Sequence, residues 1–346
     1  MTIPHFITTH LDTKPVTLWV IDDSFERENV SCVAPRDHLI VLTNRFDLFK
    51  AFNDAGHTAH FNDFDLKSIW PKNCSQVIYE VSKERPVTNH VIESALTLLP
   101  CSGSFIFYGQ KNQGIKTYTK YAQQFTNKKI TSQKLGLQYL VTATANDNQE
   151  QTRRSLNSDY HQWQTMSLKS DQEVQTKPGI YGWNKEDKGS ALLVEALKAL
   201  DLSSTKNCLD LGCGYGYLSM AVQTLNPSIE LYATDNNAAA IDACDRNLNH
   251  QKTKTLATIT ADDCGKNIHK TFDLIICNPP FHQGFNLEDG LLPRFLKSAY
   301  SKLDKKGVAL FVVNEFIPLA KHCSNWFKHC DCVIQESGFK VYIVRH

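Results

Sequence analysis

Two short motifs in the second half of the chain carry residues that could perform chemistry. The later motif, Asn278-Pro-Pro-Phe-His282, directly follows the apolar run Phe272–Cys277, which predicts a buried strand. Successive prolines remove N–H donors and hold a loop extended, so the Asn278 side-chain oxygen and the Pro279 carbonyl can accept hydrogen bonds. Acceptors placed in this way can hold both hydrogens of a planar amine and aim its nitrogen lone pair at an electrophile. Phe281 adds a ring on which a flipped base can stack.

The earlier motif, Asp210-Leu-Gly-Cys-Gly-Tyr-Gly216, predicts a glycine-rich turn between a strand over 207–210 and a helix over Tyr217–Leu225. This order is typical of the first unit of a doubly wound α/β domain, where ligands lie at the carboxyl ends of the strands. Gly212, Gly214 and Gly216 let the backbone turn tightly and let a ligand approach the main chain. The third glycine comes one residue too early for the dinucleotide fingerprint, so the turn need not hold a pyrophosphate.

Acidic residues follow the next two predicted strands. Asp235 follows a strand over 229–234, and its carboxylate is placed to accept both hydroxyls of a ribose, as it would also be in a nicotinamide dinucleotide site. Asp262 and Asp263 follow the strand Ala257–Ala261, and we expect one of them, with Asp263 preferred, to accept from an adenine amine. These acids therefore extend the candidate ligand site.

Together the two motifs predict a cofactor and a reaction. Asp210 is placed to receive an ammonium group, and the glycines, Asp235 and Asn278 are expected to contact the cofactor S-adenosylmethionine. The expected reaction is methyl transfer to a base or amide nitrogen, with Asn278, Pro279 and Phe281 as the catalytic residues. A βαβ unit without a ligand, or a Pro-Pro turn without chemistry, is the alternative for either motif taken alone.

The chain resembles the guanine-N2 methyltransferases of ribosomal RNA, and among them the ribosomal RNA small subunit methyltransferase C family. Further segments share that pattern: Trp70-Pro-Lys72, Leu98-Leu-Pro100, Lys177-Pro-Gly-Ile-Tyr181, Asp187-Lys-Gly-Ser-Ala-Leu-Leu193 and Phe339-Lys-Val-Tyr342. The resemblance is strongest over 177–345. It implies two tandem doubly wound Rossmann-like methyltransferase domains of the α/β class, the N-terminal one degenerate. It also implies methylation of the exocyclic N2 of a guanine in 16S ribosomal RNA, guanine 1207 in the family.

One departure from the family pattern and three alternatives bear on this expectation. The family usually has a small residue, Arg, Asp and Gly where this chain has Gly182-Trp-Asn-Lys185, so Trp183 could stack where a guanidinium would lie. The sister family that methylates a guanine of 23S ribosomal RNA shares both motifs. Methylation of adenine N6 or of a protein glutamine is chemically possible, although those enzymes commonly have Tyr in place of Phe281. A non-enzymatic RNA-binding or assembly protein with a vestigial fold is the third alternative.

The chain predicts a division into residues 1–142, a linker over 143–165 and a catalytic domain over 166–346. The linker prediction rests on the polar, aperiodic stretch that begins near residue 143. A strand over 17–21 ends in Asp22 without a glycine turn, and a strand over 75–79 is followed by Glu80-Val-Ser-Lys83 instead of Asn-Pro-Pro. We therefore interpret residues 1–142 as a degenerate copy of the catalytic fold. An unrelated α/β domain is the alternative.

Composition limits the class of protein and its partners. The 346 residues are 42% hydrophobic and 21% charged, which are globular values, and no apolar run is long enough to cross a bilayer. Eleven cysteines without paired spacing, and a first segment unlike a signal peptide, predict a cytoplasmic protein with reduced thiols. We expect ribosomal RNA within the small subunit as the partner, no membrane, and a monomer.

Two smaller features have competing interpretations. Residues 111–134 carry six lysines and no acid, with Tyr118, Tyr121 and Phe125 between them, which suits either RNA contact or a solvated helix face over core aromatics. The net charge of +1 requires any RNA contact to come from such a local patch. A cluster near the C-terminus resembles zinc ligands but lacks Cys-x-x-Cys, so we predict no metal. Its members are His322, Cys323, His329, Cys330 and Cys332.

Overall fold

The computed structural model describes residues 5–13, 15–82, 84–126, 129–145, 159–250, 257–280 and 290–346. The chain forms two compact units, Met1–Gln162 and Trp163–His346. Each unit contains a seven-stranded sheet. The division between the units falls within residues 143–165, the segment predicted as a linker.

The first unit holds seven strands in the order β3-β2-β1-β4-β5-β7-β6. Its strands are β1 Val16–Ile21, β2 Leu39–Thr43, β3 Thr58–Phe61, β4 Cys74–Glu80, β5 Ser104–Gln110, β6 Thr131–Leu135 and β7 Gln138–Thr144. Its α-helices are α1 His5–Leu11, α2 Phe46–Asp54, α3 Arg85–Leu98 and α4 Ile115–Ala122. Strand β7 continues two residues beyond the predicted domain limit at 142.

The second unit begins with a two-stranded hairpin and continues into its own seven-stranded sheet, in the order β12-β11-β10-β13-β14-β16-β15. The hairpin strands are β8 Gln164–Ser167 and β9 Glu173–Thr176. The sheet strands are β10 Asn207–Leu211, β11 Glu230–Asp235, β12 Ala257–Ala261, β13 Phe272–Cys277, β14 Leu303–Asn314, β15 His329–Glu336 and β16 Phe339–Arg345. The α-helices are α5 Lys188–Lys198, α6 Tyr217–Leu225, α7 Ala238–His250, α8 Leu291–Lys302 and α9 Leu319–Cys323.

The two sheets have the same topology. In each, five parallel strands are followed by an antiparallel pair at one edge, and the first strand of the sheet pairs with the second and the fourth. Parallel neighbours require crossover connections, which the helices supply. The predicted class, two tandem doubly wound Rossmann-like domains, is confirmed by this arrangement.

The central strands β10, β13 and β14 of the second sheet are mostly buried, and they contain apolar runs because helices cover both faces there. Alternate residues of a strand point to opposite faces. Cys208 and Leu274 accordingly belong to one core cluster, whereas Leu209 and Ile275 belong to the other. Asp210 shares the face of Cys208, and its side chain is fully buried near the carboxyl end of β10. In the described part of the chain no helix has the length and apolar character needed to cross a bilayer.

Candidate active site

The polar residues singled out from the second half of the sequence gather along one edge of the second sheet. Strands β12, β11, β10 and β13 are parallel neighbours, so their carboxyl ends lie side by side. Asp210 is the fourth residue of β10, and Asp235 is the last residue of β11. Asp263 follows β12, and Asn278 follows β13. The topology therefore brings together residues that are up to 68 positions apart in the sequence.

The glycine-rich turn is held by hydrogen bonds to β11. The N–H groups of Gly212 and Cys213 donate to the Thr234 carbonyl at 2.8 and 2.9 Å, and the Gly214 N–H donates to Asp235 Oδ2 at 2.9 Å. Each of the three motif glycines, Gly216 included, has a positive φ angle, between 54° and 89°. Residues other than glycine rarely adopt this backbone conformation, because their Cβ atom clashes with the neighbouring backbone.

Gly214 and Gly216 serve different purposes. A Cβ at Gly216 would lie 3.1 Å from Cys244 Sγ, so this glycine lets the turn pack against α7. A Cβ at Gly214 would meet no atom within 4 Å. The backbone at Gly214 therefore presents an open face that a ligand can approach.

Asp210 is a fully buried carboxyl group with one oxygen unsatisfied. Ser219 Oγ donates to its Oδ2 at 2.6 Å, while Oδ1 is buried without a hydrogen-bond partner. Burial raises the pKa of Asp210 to about 7; the Ser219 bond opposes this shift, and the charge of Asp235 adds to it. An unsatisfied buried oxygen costs free energy unless a donor reaches it. Asp210 thus fits the expected role of receiving a cationic donor.

Asp235 ties the turn to the next helix. Its Oδ1 accepts from the Asn237 N–H at 2.9 Å, in addition to the Gly214 bond at Oδ2. Burial raises the pKa of Asp235, and the backbone donors lower it. Each carboxylate oxygen has a second lone pair, so two further donors such as ribose hydroxyls can still be accepted.

Asp262 and Asp263 have different environments. The Arg294 side chain of α8 pairs with Asp263, which is 8% exposed. Asp262 accepts from the Asn267 N–H at 2.9 Å through Oδ2, and its Oδ1 is buried without a hydrogen-bond partner. The structure therefore offers Asp262 as a second candidate acceptor beside the preferred Asp263.

The Asn278 side chain is fixed by two acceptors. Its Nδ2 donates to Asp187 Oδ2 and to Ser190 Oγ, each at 2.8 Å. Both amide hydrogens are thereby used, and Oδ1 is left to accept from a substrate. Pro279 is buried next to it. Phe281 and His282 lie outside the described residues.

Asp187 and Ser190 contact Asn278 but are not among the predicted site residues, although the segment 187–193 shares the family pattern. Asp187 is the N-cap of α5, where it accepts from the Ser190 N–H at 2.7 Å. An acid directly before a helical apolar run is a readable signal for a helix start. Nothing local signals that the same carboxylate also binds Asn278, 91 positions away.

Asn247 is a further residue that sequence reasoning did not single out. It is buried on α7, and its Nδ2 donates to the Tyr215 carbonyl of the glycine turn at 2.7 Å and to the Gln175 carbonyl of β9 at 2.8 Å. Its Oδ1 accepts from the Gln175 N–H at 2.6 Å. Asn247 therefore holds the turn against the β8–β9 hairpin.

The structure also shows the surroundings of Trp183, of the cysteines and of the candidate metal ligands. Trp183 is half-buried and packs against the core of the second unit. No disulfide joins any of the eleven cysteines, all of which lie within the described residues. In the described part of the chain no group of three or more His, Cys, Asp or Glu side chains is arranged to hold a metal ion.

Comparison with known proteins places this geometry in context. Residues 171–343 match the family model described as "Methyltransferase small domain". A ribosomal RNA small subunit methyltransferase C from Hamiltonella defensa is 34% identical over 183 residues, which are 52% of each chain. The alignment thus spans about half the length of that relative. A protein of the same name from Idiomarina loihiensis is 29% identical over 299 residues, 83% of this chain and 85% of the relative. The family resemblance predicted from the sequence is confirmed by these matches.

A solved structure shares the fold of nearly the whole chain. It is described as the T. thermophilus 16S rRNA N2 G1207 methyltransferase in complex with AdoMet and guanosine. The match has a TM-score of 0.82 at 19% identity and covers 98% of this chain and 90% of that chain.

Replacing Gly214 by Val should abolish S-adenosylmethionine binding, because the new side chain would occupy the open face of the turn. Gly338→Val is the matched control, since Gly338 also has a positive φ angle and open space but lies in the β15–β16 turn. We expect similar backbone strain in both variants and loss of binding only in the first, measured by calorimetry. Equal affinity of Gly214→Val and the control would contradict the assignment.

Cofactor affinity should depend on the charge of Asp210. Because its pKa is raised to about 7, the carboxyl group is protonated below that pH and cannot attract an ammonium group. We expect the affinity to rise as the pH increases from 6 to about 7.5, and the Asp210→Asn variant to bind weakly without this rise. A wild-type affinity that stays constant over this range would be the opposing result.

Proposed function

The chain belongs to the methyltransferase small domain family, and we propose that its second unit methylates the exocyclic N2 of a guanine in 16S ribosomal RNA. S-adenosylmethionine is the proposed cofactor. The curated relatives named for small subunit RNA support this target, and the guanosine complex of the T. thermophilus enzyme supports the base. Guanine 1207 is the proposed position, by analogy with that enzyme.

The orientation of the Asn278 amide is the observation that carries this proposal. Its Nδ2 faces Asp187 and Ser190, so its Oδ1 is the atom presented at the end of β13. An acceptor at this position suits a substrate that donates hydrogens, as an amine does. A carbonyl substrate would need a donor there.

The residues around the glycine turn fit S-adenosylmethionine. The buried, unsatisfied Oδ1 of Asp210 suits its ammonium group, and Asp235 suits its ribose hydroxyls. The open space over Gly214 allows a ligand to lie against the backbone. When bound, this cofactor supplies a methyl group on a positively charged sulfur.

The residues of the chain activate the amine by position and hydrogen bonding. The lone pair of guanine N2 is delocalised into the ring, which makes the amine a poor nucleophile. When Asn278 Oδ1 and the Pro279 carbonyl accept its two hydrogens, the nitrogen becomes more tetrahedral and its lone pair is exposed. Both acceptors also stabilise the positive charge that develops on the nitrogen.

Two exposed aromatic rings lie on the same side of the second unit as Asn278. Tyr181 is 52% exposed and donates through its hydroxyl to Asp187 Oδ1 at 3.1 Å. Phe316 is 83% exposed and follows β14, whose carboxyl end lies beside that of β13. Such rings are the surfaces on which unpaired bases stack, which supports an RNA substrate.

A group of exposed lysines in the first unit is a candidate contact for the RNA backbone. We call Lys111, Lys116, Lys120, Lys129 and Lys134 the lysine surface. All five are exposed, and in the described part of the chain none forms an ion pair. Lys128 lies outside the described residues. Two of the interleaved aromatics, Tyr118 and Phe125, are buried in the core, so the lysine surface offers charge and not those rings.

The remaining parts of the proposal concern the organisation of the chain. Residues 1–142 are proposed as the non-catalytic copy, 143–165 as the linker and 166–346 as the catalytic domain. We further propose a cytoplasmic monomer that acts within the small ribosomal subunit. Mass spectrometry of ribosomal RNA nucleosides and fragments from a deletion strain tests the target directly. If the deletion strain instead lacked a methylated adenine, or lacked methylguanine only in 23S RNA, the proposed 16S guanine target would be wrong.

Asn278→Ala should reduce turnover by about 10²–10³-fold, the scale for one preorganised polar contact in a transition state. S-adenosylmethionine affinity should change little: although Asn278 is also expected to lie against the cofactor, its amide hydrogens bind Asp187 and Ser190 and its oxygen faces the amine. Asn278→Asp should also be impaired, because its carboxylate would face that of Asp187. Single-turnover methylation of ribosomal RNA and calorimetry measure the two effects. If Asn278→Ala retained most of its activity, base activation by this side chain would be wrong.

Replacing Lys116, Lys120 and Lys134 by Gln should weaken RNA binding and lower the slope of log affinity against log salt by roughly one unit per lost phosphate contact. The control is Lys50→Gln with Lys198→Gln, since those lysines already pair with Asp54 and Glu195. S-adenosylmethionine affinity should stay constant in both variants. If the triple variant kept the wild-type RNA affinity and salt dependence, the lysine surface would be a solvated helix face without a role in RNA binding.

A further inference from the structure

The contacts of Asn278 determine which end of its amide faces the substrate. An amide side chain can be rotated by 180° about its last bond, which exchanges oxygen and nitrogen. The carboxylate of Asp187 can only accept, so the group that faces it must be the NH₂. Ser190 Oγ occupies the second hydrogen of the same group. The pair therefore excludes the flipped state, in which the oxygen of Asn278 would face a carboxylate.

Asp187 is itself held in place from several directions. Its Oδ2 accepts from the Ser190 N–H at 2.7 Å, and its Oδ1 accepts from the Tyr181 hydroxyl at 3.1 Å. It also caps the 11-residue helix α5, whose N-terminal dipole favours a negative charge. The carboxylate that orients Asn278 thus accepts hydrogen bonds on both of its oxygens.

We propose that Asp187 and Ser190 are positioning residues that select the acceptor orientation of Asn278, and so restrict the site to amine substrates. This inference rests on the proposed function and adds the origin of its specificity. On the Watson–Crick edge of guanine, N2 donates whereas O6 accepts. When Asn278 Oδ1 faces the substrate, it accepts a hydrogen bond from guanine N2 and repels guanine O6, which is also an acceptor.

The charge of Asp187 has a second effect. A hydrogen bond from the amide to a carboxylate shifts electron density within the amide toward Oδ1, because hydrogen bonds in a chain polarise one another. The positive charge that develops on the attacking nitrogen is then stabilised more strongly. This contribution acts in the transition state and affects turnover more than substrate affinity.

A helix cap alone does not explain the arrangement. The cap is the bond between Asp187 Oδ2 and the Ser190 backbone N–H, and it needs no hydroxyl on Ser190. The Ser190 side chain instead binds Asn278. Ser190→Ala therefore removes an orienting contact and keeps the cap. Asp187→Asn keeps a good capping residue and removes the charge.

The test is a double-mutant cycle on the full-length protein. We expect Ser190→Ala to lower kcat by about 10-fold and Asp187→Asn by about 10- to 100-fold, with S-adenosylmethionine affinity, KM for RNA and melting temperature nearly unchanged. In an Asn278→Ala background each change should have less than about a twofold further effect, since the group that they orient is absent. Losses that persist in this background, or a normal kcat for Ser190→Ala, would overturn the inference.

A second measurement does not depend on the substrate. The side-chain amide hydrogens of Asn278, identified in NMR spectra by their disappearance in Asn278→Ala, should exchange slowly in the wild type and faster in Ser190→Ala and Asp187→Asn. The exposed Asn184 amide serves as the internal reference. Exchange of Asn278 as fast as Asn184 would refute the orienting role. If wild-type protein instead shows slow exchange but fails to methylate ribosomal RNA, only the proposed substrate is wrong.

Discussion

The hydrogen bond from the Asn278 amide to the Asp187 carboxylate joins the end of β13 to the beginning of α5. It connects the segment that would hold the substrate to a helix of the second unit's core, in which Leu193 and Leu197 are fully buried. An acceptor that activates an amine must be held to within a fraction of an ångström, and loops alone seldom provide such rigidity. Attachment to a capped helix and to a buried strand supplies it.

The sequence predicts this scaffold well where the signal is local. Helix α6 and strands β12 and β13 have the predicted bounds, because apolar periodicity and the adjacent glycines or prolines define them. Strand β10 ends one residue later than predicted, and β11 begins and ends one residue later, because parallel pairing extends the ladder to Leu211 and Asp235. The identical order of the two sheets also agrees with the predicted duplication.

The long-range hydrogen bonds and ion pair that position the site residues could not be predicted from local sequence patterns. The Asp187–Asn278 bond, the Asn247 bonds and the pairing of Asp263 with Arg294 each join residues that are 31 to 91 positions apart. Their formation depends on the packing of helices onto the sheet, which local patterns do not encode. The exposure of a side chain is equally hard to predict from the sequence. Tyr118 and Tyr181 both lie beside polar residues, yet Tyr118 is buried in the core of the first unit and Tyr181 is half exposed near Asn278.

The first unit has the same sheet topology but lacks the glycine turn and the Asn-Pro-Pro motif. Asp22 follows β1 at the place where acids lie at the ends of the second unit's strands. Its Oδ1 accepts from the N–H of Ser24 at 2.9 Å, and no glycine turn follows it. Burial raises the pKa of Asp22 and of Glu80, at the end of β4, to about 7. Asp22 Oδ2 is buried without a hydrogen-bond partner, as Asp210 Oδ1 is, so the two edges differ in the glycine turn and the Asn-Pro-Pro segment and not in unsatisfied carboxylates.

In the second unit the same kind of edge carries a concentration of buried negative charge that folding alone does not favour. Burial raises the pKa values of Asp210, Asp235 and Asp262, and each would be more stable in water. Arg294 compensates Asp263, and backbone N–H groups compensate Asp235, but one oxygen each of Asp210 and Asp262 has no donor. Residues that lower stability in this way are expected where a ligand supplies the missing partners. A ligand with an ammonium group, hydroxyls and an amino group has donors for each of these acceptors, which is why the edge fits an adenosyl cation better than an anionic nucleotide.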